Sequence, residues 1–151
     1  MTSKTSIDQF LSQHHLALAG VSRSGKKFGN IALKELTAKG YRISVIHPGA
    51  GELGGTVVYP SLAMLPAGVG GLLIAVPREQ AVTLVREAAA AGIRNIWLTQ
   101  GAESPEAIES CQSHGINVIH GECILMFAQP TGVHRCHRWL WGLLGKLPVR
   151  T

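Results

Sequence analysis

Short apolar segments alternate along the chain with longer segments whose apolar residues follow helical spacing. The apolar segments predict six buried strands, at residues 16–20, 42–46, 56–59, 72–76, 95–98 and 117–119. The longer segments predict three helices, at residues 29–39, 77–91 and 104–114, and a glycine follows each of them. The second begins at a proline and the third at a serine, which are residues typical of helix starts. An N-terminal helix over residues 6–13, with Ser6 as N-cap, and a helical turn at 61–65 complete the pattern.

This alternation of strands and helices is typical of a parallel sheet with helices on both faces. It predicts an α/β fold with a Rossmann-like, doubly wound sheet in three α/β/α layers. Ligands of such sheets bind beyond the carboxyl ends of the strands, where the strand order reverses. That rule selects the segments that follow four of the strands, namely residues 20–27, 47–49, 76–77 and 99–101.

The turn after the first strand has the composition of a phosphate-binding loop. Small residues such as Gly20 and Ser22 let a phosphate approach the backbone, and the start of the next helix turns its amides towards an anion. Three basic residues, Arg23, Lys26 and Lys27, lie in the same turn. The turn therefore predicts a ligand that carries several phosphate charges.

The usual nucleotide motifs are absent from this turn. The dinucleotide pattern G-x-G-x-x-G aligns with Gly20 and Gly25, but Ser22 replaces its middle glycine. The second strand ends in His47-Pro48 without the carboxylate that holds the ribose of NAD. Both departures argue against NAD, and no G-x-x-x-x-G-K-[ST] loop occurs.

Composition favours one globular domain. The chain has 151 residues, of which 46% are hydrophobic and 15% charged. No apolar run approaches the roughly 20 residues that cross a bilayer, and the N-terminus lacks a signal core, so we expect a cytoplasmic protein. Three cysteines without CxxC spacing fit free thiols in a reducing compartment.

Positive charge is concentrated at the two ends of the chain. The net charge is +5 overall, and residues 129–151 contain four Lys/Arg and no acidic residue. We divide the chain into a domain at 1–128 and a basic amphipathic C-terminal helix or tail at 129–151, which would support a homodimer or contact a partner protein. No basic run or aromatic RNA-binding motif accompanies the charge, so nucleic acid is not the expected ligand.

The sequence predicts neither catalytic residues nor a metal site. No Ser/His/Asp or paired-carboxylate arrangement emerges at the strand ends. His134, Cys136 and His137 lie close together, but their spacing matches no standard zinc pattern. Cys123 and Trp97 are expected to be structural residues, because free cysteine is usually buried and Trp97 lies within an apolar strand.

Several short motifs in a common order resemble the CoA-binding domain family, which includes the N-terminal domain of the succinyl-CoA synthetase alpha subunit. The matching motifs are Ala19-Gly20-Val21-Ser22 with Lys27-Phe28-Gly29, His47-Pro48, Tyr59-Pro60-Ser61-Leu62, Val76-Pro77, Trp97-Leu98-Thr99-Gln100-Gly101 and Gly121-Glu122-Cys123. The resemblance covers about residues 10 to 125. It implies that coenzyme A or an acyl-CoA is the ligand.

The resemblance also implies roles for individual residues. Residues 20–23 would hold the phosphates, His47-Pro48 would pack near the adenosine, and Val76-Pro77 would border the adenine and the pantetheine arm. The family often has a lysine shortly after the proline of the second loop, where this chain has Gly49-Ala50. Arg23, Lys26 or Lys27 would then supply the contact to the 3′-phosphate.

Our leading hypothesis is a small non-catalytic protein that binds CoA or acyl-CoA, as a sensor or an accessory subunit. The cofactor-binding residues would be Gly20, Val21, Ser22, Arg23, Ser24, Lys26, Lys27, His47, Pro48, Val76, Pro77, Gln100 and Gly101. One alternative is an NAD(P)-binding oxidoreductase or redox regulator. Another is an interaction module that acts through the C-terminal basic helix.

Overall fold

The computed structural model describes residues 2–49, 51–53 and 55–128, and these form a three-layer α/β/α domain. The strands are β1 (His15–Ala19), β2 (Arg42–Ile46), β3 (Glu52–Leu53), β4 (Thr56–Tyr59), β5 (Gly71–Ile74), β6 (Asn95–Leu98) and β7 (Asn117–Ile119). The helices are α1 (Lys4–Leu11), α2 (Phe28–Ala38), α3 (Arg78–Ala90) and α4 (Pro105–Ser113), with 3-10 turns at Leu62–Met64 and Ile124–Met126.

The sheet has the order β3-β4-β2-β1-β5-β6-β7. Every pairing is parallel except that of β3 with β4. The chain runs outward from β1 to β2 and β4, and then returns to place β5 on the other side of β1. The strand order therefore reverses between β1 and β5, which confirms the predicted doubly wound Rossmann-like fold.

The central strands are mainly apolar because helices cover both faces of the sheet. Residues of α1 and α2, such as Phe10 and Leu36, pack with Trp97 on one face. Residues of α3 and α4, such as Val85 and Cys111, pack with Ile96 on the other face. Trp97 is fully buried, and its ring meets that of Phe10 edge-on, with centroids 5.4 Å apart. It is a core residue, as predicted.

Two local predictions were wrong. Ser3, and not Ser6, caps α1: the Ser3 hydroxyl oxygen accepts a hydrogen bond from the Ser6 amide at 3.1 Å. Ser6 therefore lies inside the helix, whose Ile7 and Phe10 side chains are buried. The sequence also predicted no strand between those at 42–46 and 56–59, where the structure has β3, which pairs antiparallel with β4 at the sheet edge.

Other local signals acted as predicted. Gly40 has a φ of +91° just after the C-cap of α2, and the Ser104 hydroxyl accepts a hydrogen bond from the Ala107 amide at the start of α4. In the described part of the chain, none of the helices has the length and apolar character needed to span a bilayer.

Candidate functional site

The turn after β1 begins at Gly20, which lies where the strand order reverses. Gly20 has a φ of +119°, and a Cβ atom on it would lie 2.6 Å from the carbonyl carbon of Ala75, just beyond β5. Only glycine fits this conformation and this close approach. Gly20 thus brings the backbone after β1 directly against the backbone after β5.

A second glycine, Gly29, packs the start of α2 onto the turn. A Cβ atom on Gly29 would lie 2.6 Å from the carbonyl carbon of Gly20. The sequence pattern had aligned Gly25 with the third glycine of the dinucleotide motif, whose function is close helix packing. Gly25 instead lies in open space with a φ of +72°, so Gly29 performs that packing function.

Asn30, which the sequence analysis did not select, fixes the shape of the turn. Its side-chain oxygen accepts hydrogen bonds from the Ser22 amide at 3.0 Å and the Ser22 hydroxyl at 3.1 Å. Its side-chain nitrogen donates to the Ser22 carbonyl at 2.9 Å. A carboxamide both donates and accepts, so one side chain satisfies both backbone groups of Ser22.

The rest of the turn presents positive charge and available amides. Among residues 2–49, 51–53 and 55–128, the amides of Arg23 and Ser24 donate to no protein acceptor. Lys27 is the N-cap residue of α2, and its side chain makes no capping hydrogen bond. Both lysines of the turn and Arg23 are exposed. Free amides and cations in a turn that leads into a helix favour an anion.

The second loop, after β2, is joined to this turn by Arg23. The Arg23 guanidinium donates a hydrogen bond to the carbonyl oxygen of Gly49. The Gly49 amide in turn donates to Nδ1 of His47 at 3.1 Å. The structure therefore brings Arg23 and the His47-Pro48 loop together.

Val76 and Pro77 follow Ala75, the residue that abuts Gly20. Pro77 is the N-cap residue of α3, and the half-buried Val76 packs against the core on the α3 side of the sheet. The turn at 20–27 and the loops at 47–48 and 76–77 thus form one continuous part of the carboxyl edge, centred on β1.

A cavity of about 490 Å³ lies farther along the same edge, beyond β6 and β7. Its apolar wall consists of Phe28, the first residue of α2, with Ile124 and Met126. Gln100, among the predicted site residues, lines it, whereas Gly101 lies outside its lining with a φ of +92°. The predicted residues at 20–27, 47–48 and 76–77 do not line it.

Hydrogen bonds fix the two segments that form this cavity, one after β7 and the other after β6. The Trp97 ring nitrogen donates to the carbonyl of Glu122 at 2.9 Å, which fixes the segment after β7. The Thr99 hydroxyl donates to the carbonyl of Ile74 at 3.0 Å, which fixes the segment after β6 to β5. The cavity is therefore held by side chains that point back into the sheet.

The cavity contains two carboxylates and a thiol. Burial raises the pKa of Glu122 above its usual range. The Oε2 atom of Glu103 is buried and has no hydrogen-bond partner among the described residues. Cys123 is half-buried, whereas burial on the opposite face raises the pKa of Cys111 to about 12.

The strand-end rule would have found Glu122 and Cys123 if it had been applied to the last strand, whereas Glu103 lies two residues beyond the segment that the rule selected after β6. Glu122 and Cys123 follow β7 as the predicted segments follow the earlier strands. Phe28 lies in the motif Lys27-Phe28-Gly29, but the motif did not indicate a cavity wall, and Asn30 had no sequence signal. Both roles depend on how α2 packs against the turn. No group of three or more His, Cys, Asp or Glu residues with metal-binding geometry occurs in the described ranges. The tail at 129–151, with His134, Cys136 and His137, lies outside the described residues.

Solved structures share this architecture. A conserved hypothetical protein from Pyrococcus furiosus is 33% identical, with a TM-score of 0.70 over 74% of this chain and 97% of that chain. A hypothetical protein from Pyrococcus horikoshii has the same fold at 23% identity, with a TM-score of 0.74 over 80% of this chain and 86% of that chain.

An enzyme also contains a similar domain. It is a dinucleotide-forming acetyl-coenzyme A synthetase from Ca. Korarchaeum cryptofilum, solved in complex with phosphate and ADP, which is 25% identical with a TM-score of 0.63. The match covers 70% of this chain but 25% of that enzyme. The sequence model of the CoA binding domain family matches residues 14–129, so this chain belongs to that family.

Proposed function

We propose that this chain binds coenzyme A or an acyl-CoA and that the turn at 20–27 holds the phosphates. The observation that carries the proposal is the close packing of the Gly29 backbone, at the start of α2, against the Gly20 backbone. This packing holds a basic turn with free amides at the point where the strand order reverses. Membership of the CoA binding domain family supports the same ligand. Phosphate charge and the positive end of a helix attract each other, which gives the turn its chemistry.

Arg23 supports a nucleotide that spans the first two loops. Its guanidinium already reaches the carbonyl of Gly49, where the family often has a lysine. From this position it can form charge-assisted hydrogen bonds to a phosphate near the ribose. We propose that Arg23 contacts the 3′-phosphate, while His47-Pro48 and Val76-Pro77 border the adenosine.

NAD is the weaker candidate, because the residue that follows the second strand is His47 and not a carboxylate. A titration of the purified chain with CoA, acetyl-CoA, NAD and NADP, followed by calorimetry and thermal shift, separates the candidates. We expect saturable binding and a higher Tm with CoA and acetyl-CoA only. Stabilisation by NAD without an effect of CoA would overturn the proposal.

We propose further that the protein is a binding protein and not an enzyme, in the manner of a sensor or an accessory subunit. The match covers 25% of the acetyl-coenzyme A synthetase, so the likeness does not by itself carry that enzyme's activity to this chain. Incubation of the purified chain with acetyl-CoA should release no free thiol above the buffer control. Release that scales with protein concentration would show catalysis and refute this part of the proposal.

A further inference from the structure

The cavity beyond β6 and β7 differs in charge from the turn that we assign to the phosphates. Glu103 and Glu122 are its charged lining residues among the described residues, and Phe28, Ile124 and Met126 supply an apolar wall. The turn at 20–27 carries Arg23 and two lysines and no acidic residue. The two regions lie on one edge of the sheet and share the N-terminal turn of α2, since Phe28 directly follows Lys27.

Coenzyme A has the same asymmetry along its length. Its nucleotide end carries the phosphates, and its pantetheine arm ends in an uncharged thiol or thioester. β6 is two strands from β1, which is about 10 Å at ordinary strand spacing. The arm has roughly the length of four extended residues, or about 14 Å, and so spans this distance. With the phosphates at the cations, the pantetheine arm is therefore long enough to bring the thioester end to the acidic cavity.

On the basis of the proposed function, we propose that this cavity receives the acyl group of an acyl-CoA and rejects acyl groups that end in a carboxylate. The apolar wall accommodates a hydrocarbon chain, which gains free energy when it leaves water. A terminal carboxylate would lose its hydration in the same space and would lie beside carboxylates of like charge. The Oε2 atom of Glu103 is buried without a hydrogen-bond partner among the described residues, so little water lies beside it to screen its repulsion of a second carboxylate.

The nearby basic group does not offset this negative charge. His120 follows β7 and interacts electrostatically with Glu103. Burial lowers the pKa of His120 below its ordinary value of 6.5, so its ring is neutral above neutral pH. The lining residues of the cavity include no lysine or arginine in the part of the chain that the structure describes.

Butyryl-CoA and succinyl-CoA provide the test, because their acyl groups have the same number of carbons. The butyryl group ends in a methyl, whereas the succinyl group ends in a carboxylate. Calorimetry with the full chain at pH 7.5 should give a Kd for butyryl-CoA at least tenfold lower than that for succinyl-CoA. In the double variant Glu103→Gln/Glu122→Gln, which keeps size and shape, the ratio should fall by at least threefold, because the like-charge repulsion is removed while the cost of dehydrating the carboxylate remains. The control Glu109→Gln removes an exposed charge of α4 outside the cavity, and it should retain the tenfold ratio.

The outcomes distinguish this inference from the proposed function. Equal affinity of the wild-type chain for the two thioesters overturns the inference and leaves CoA binding intact. A tenfold preference that persists unchanged in the double variant also overturns it, because the glutamates would not be its cause. If neither thioester nor free CoA binds, the proposed function fails, and the inference fails with it. The wild-type comparison needs no variant and so does not depend on how the double variant folds.

Discussion

Two regions at the carboxyl edge of the sheet are shaped in different ways, one by backbone packing and the other by side chains. At the turn after β1, backbone packed on backbone fixes the shape: Gly20 lies against Ala75, and Gly29 lies against Gly20. In the cavity beyond β6 and β7, side chains line the space, and Gly121 at its rim has open space around it. The first region tolerates almost no change in shape, whereas the second can vary its side chains within the same fold. Under the proposed function, the fixed turn would hold the constant nucleotide, and the cavity would take the acyl group, which differs between acyl-CoAs.

The largest expected effect is the loss of stability when the turn glycine Gly20 is substituted. Gly20→Ala should lower the free energy of unfolding by about 3 kcal/mol or more, because the new Cβ meets the Ala75 carbonyl at a positive φ. Gly121→Ala, with a φ of +72° but open space, should cost about 1 kcal/mol. Urea denaturation measures both. Equal losses would show that backbone packing does not distinguish the two regions.

Reversal of a charge in the turn should weaken the binding of CoA and of acetyl-CoA to the same extent. Arg23→Glu should cost ~1.5–3 kcal/mol of binding free energy for both CoA and acetyl-CoA, since a charged hydrogen bond is lost and repulsion is added. The control Arg94→Glu changes an exposed residue at the opposite edge of the sheet, before β6. Calorimetry should show an unchanged Kd for that control. An unchanged Kd for Arg23→Glu would remove Arg23 from the site.

Asn30 should matter for the turn and not for the cavity. Asn30→Ala removes the hydrogen bonds to Ser22 and should destabilise the fold by about 1–3 kcal/mol, with weaker CoA binding as the turn relaxes. Gln112→Ala on the exposed part of α4 is the matched control and should change neither quantity. Thermal unfolding with and without CoA reports both effects. A variant with normal stability and normal affinity would show that Asn30 does not shape the site.

The cysteines offer a probe of the cavity. At pH 8, iodoacetamide should modify the half-buried Cys123 well before Cys111, because burial and a pKa of about 12 keep the Cys111 thiol protonated. Saturating acetyl-CoA should slow modification at Cys123 if the acyl group occupies the cavity. Peptide mass spectrometry resolves the sites. Unchanged labelling of Cys123 with bound ligand would place the acyl group elsewhere.

The smallest expected effect is the contribution of Glu122 to the pH dependence of the free energy of unfolding. Its folded-state pKa is raised by burial, so the folded state holds the proton more tightly than the unfolded state. The contribution of Glu122 to stability is therefore present at low pH and is lost as pH rises through the folded pKa. Glu122→Gln should remove this loss and slightly stabilise the fold at pH 7 relative to wild type, with the advantage fading near pH 4. Urea denaturation at both values tests this sign.

The sequence by itself determined six of the seven strands in the described residues, most helix ends and the position of the glycine turn after the first strand. These features depend on local periodicity, on caps such as Ser104 and Gly40, and on the reversal of a parallel sheet. It misplaced the cap of α1, because Ser3 and Ser6 are equally good cap residues and only the burial of Ile7 and Phe10 against the sheet chooses between them.

The tertiary structure alone decided which residues act together. Gly29 and not Gly25 packs on the turn, Arg23 reaches Gly49, and the cavity joins Phe28 with residues nearly 100 positions later in the chain. Such contacts have no period or spacing in the sequence, because they arise where separate elements converge at one edge of the sheet. Their geometry depends on the packing of whole helices and strands, and no local pattern encodes it.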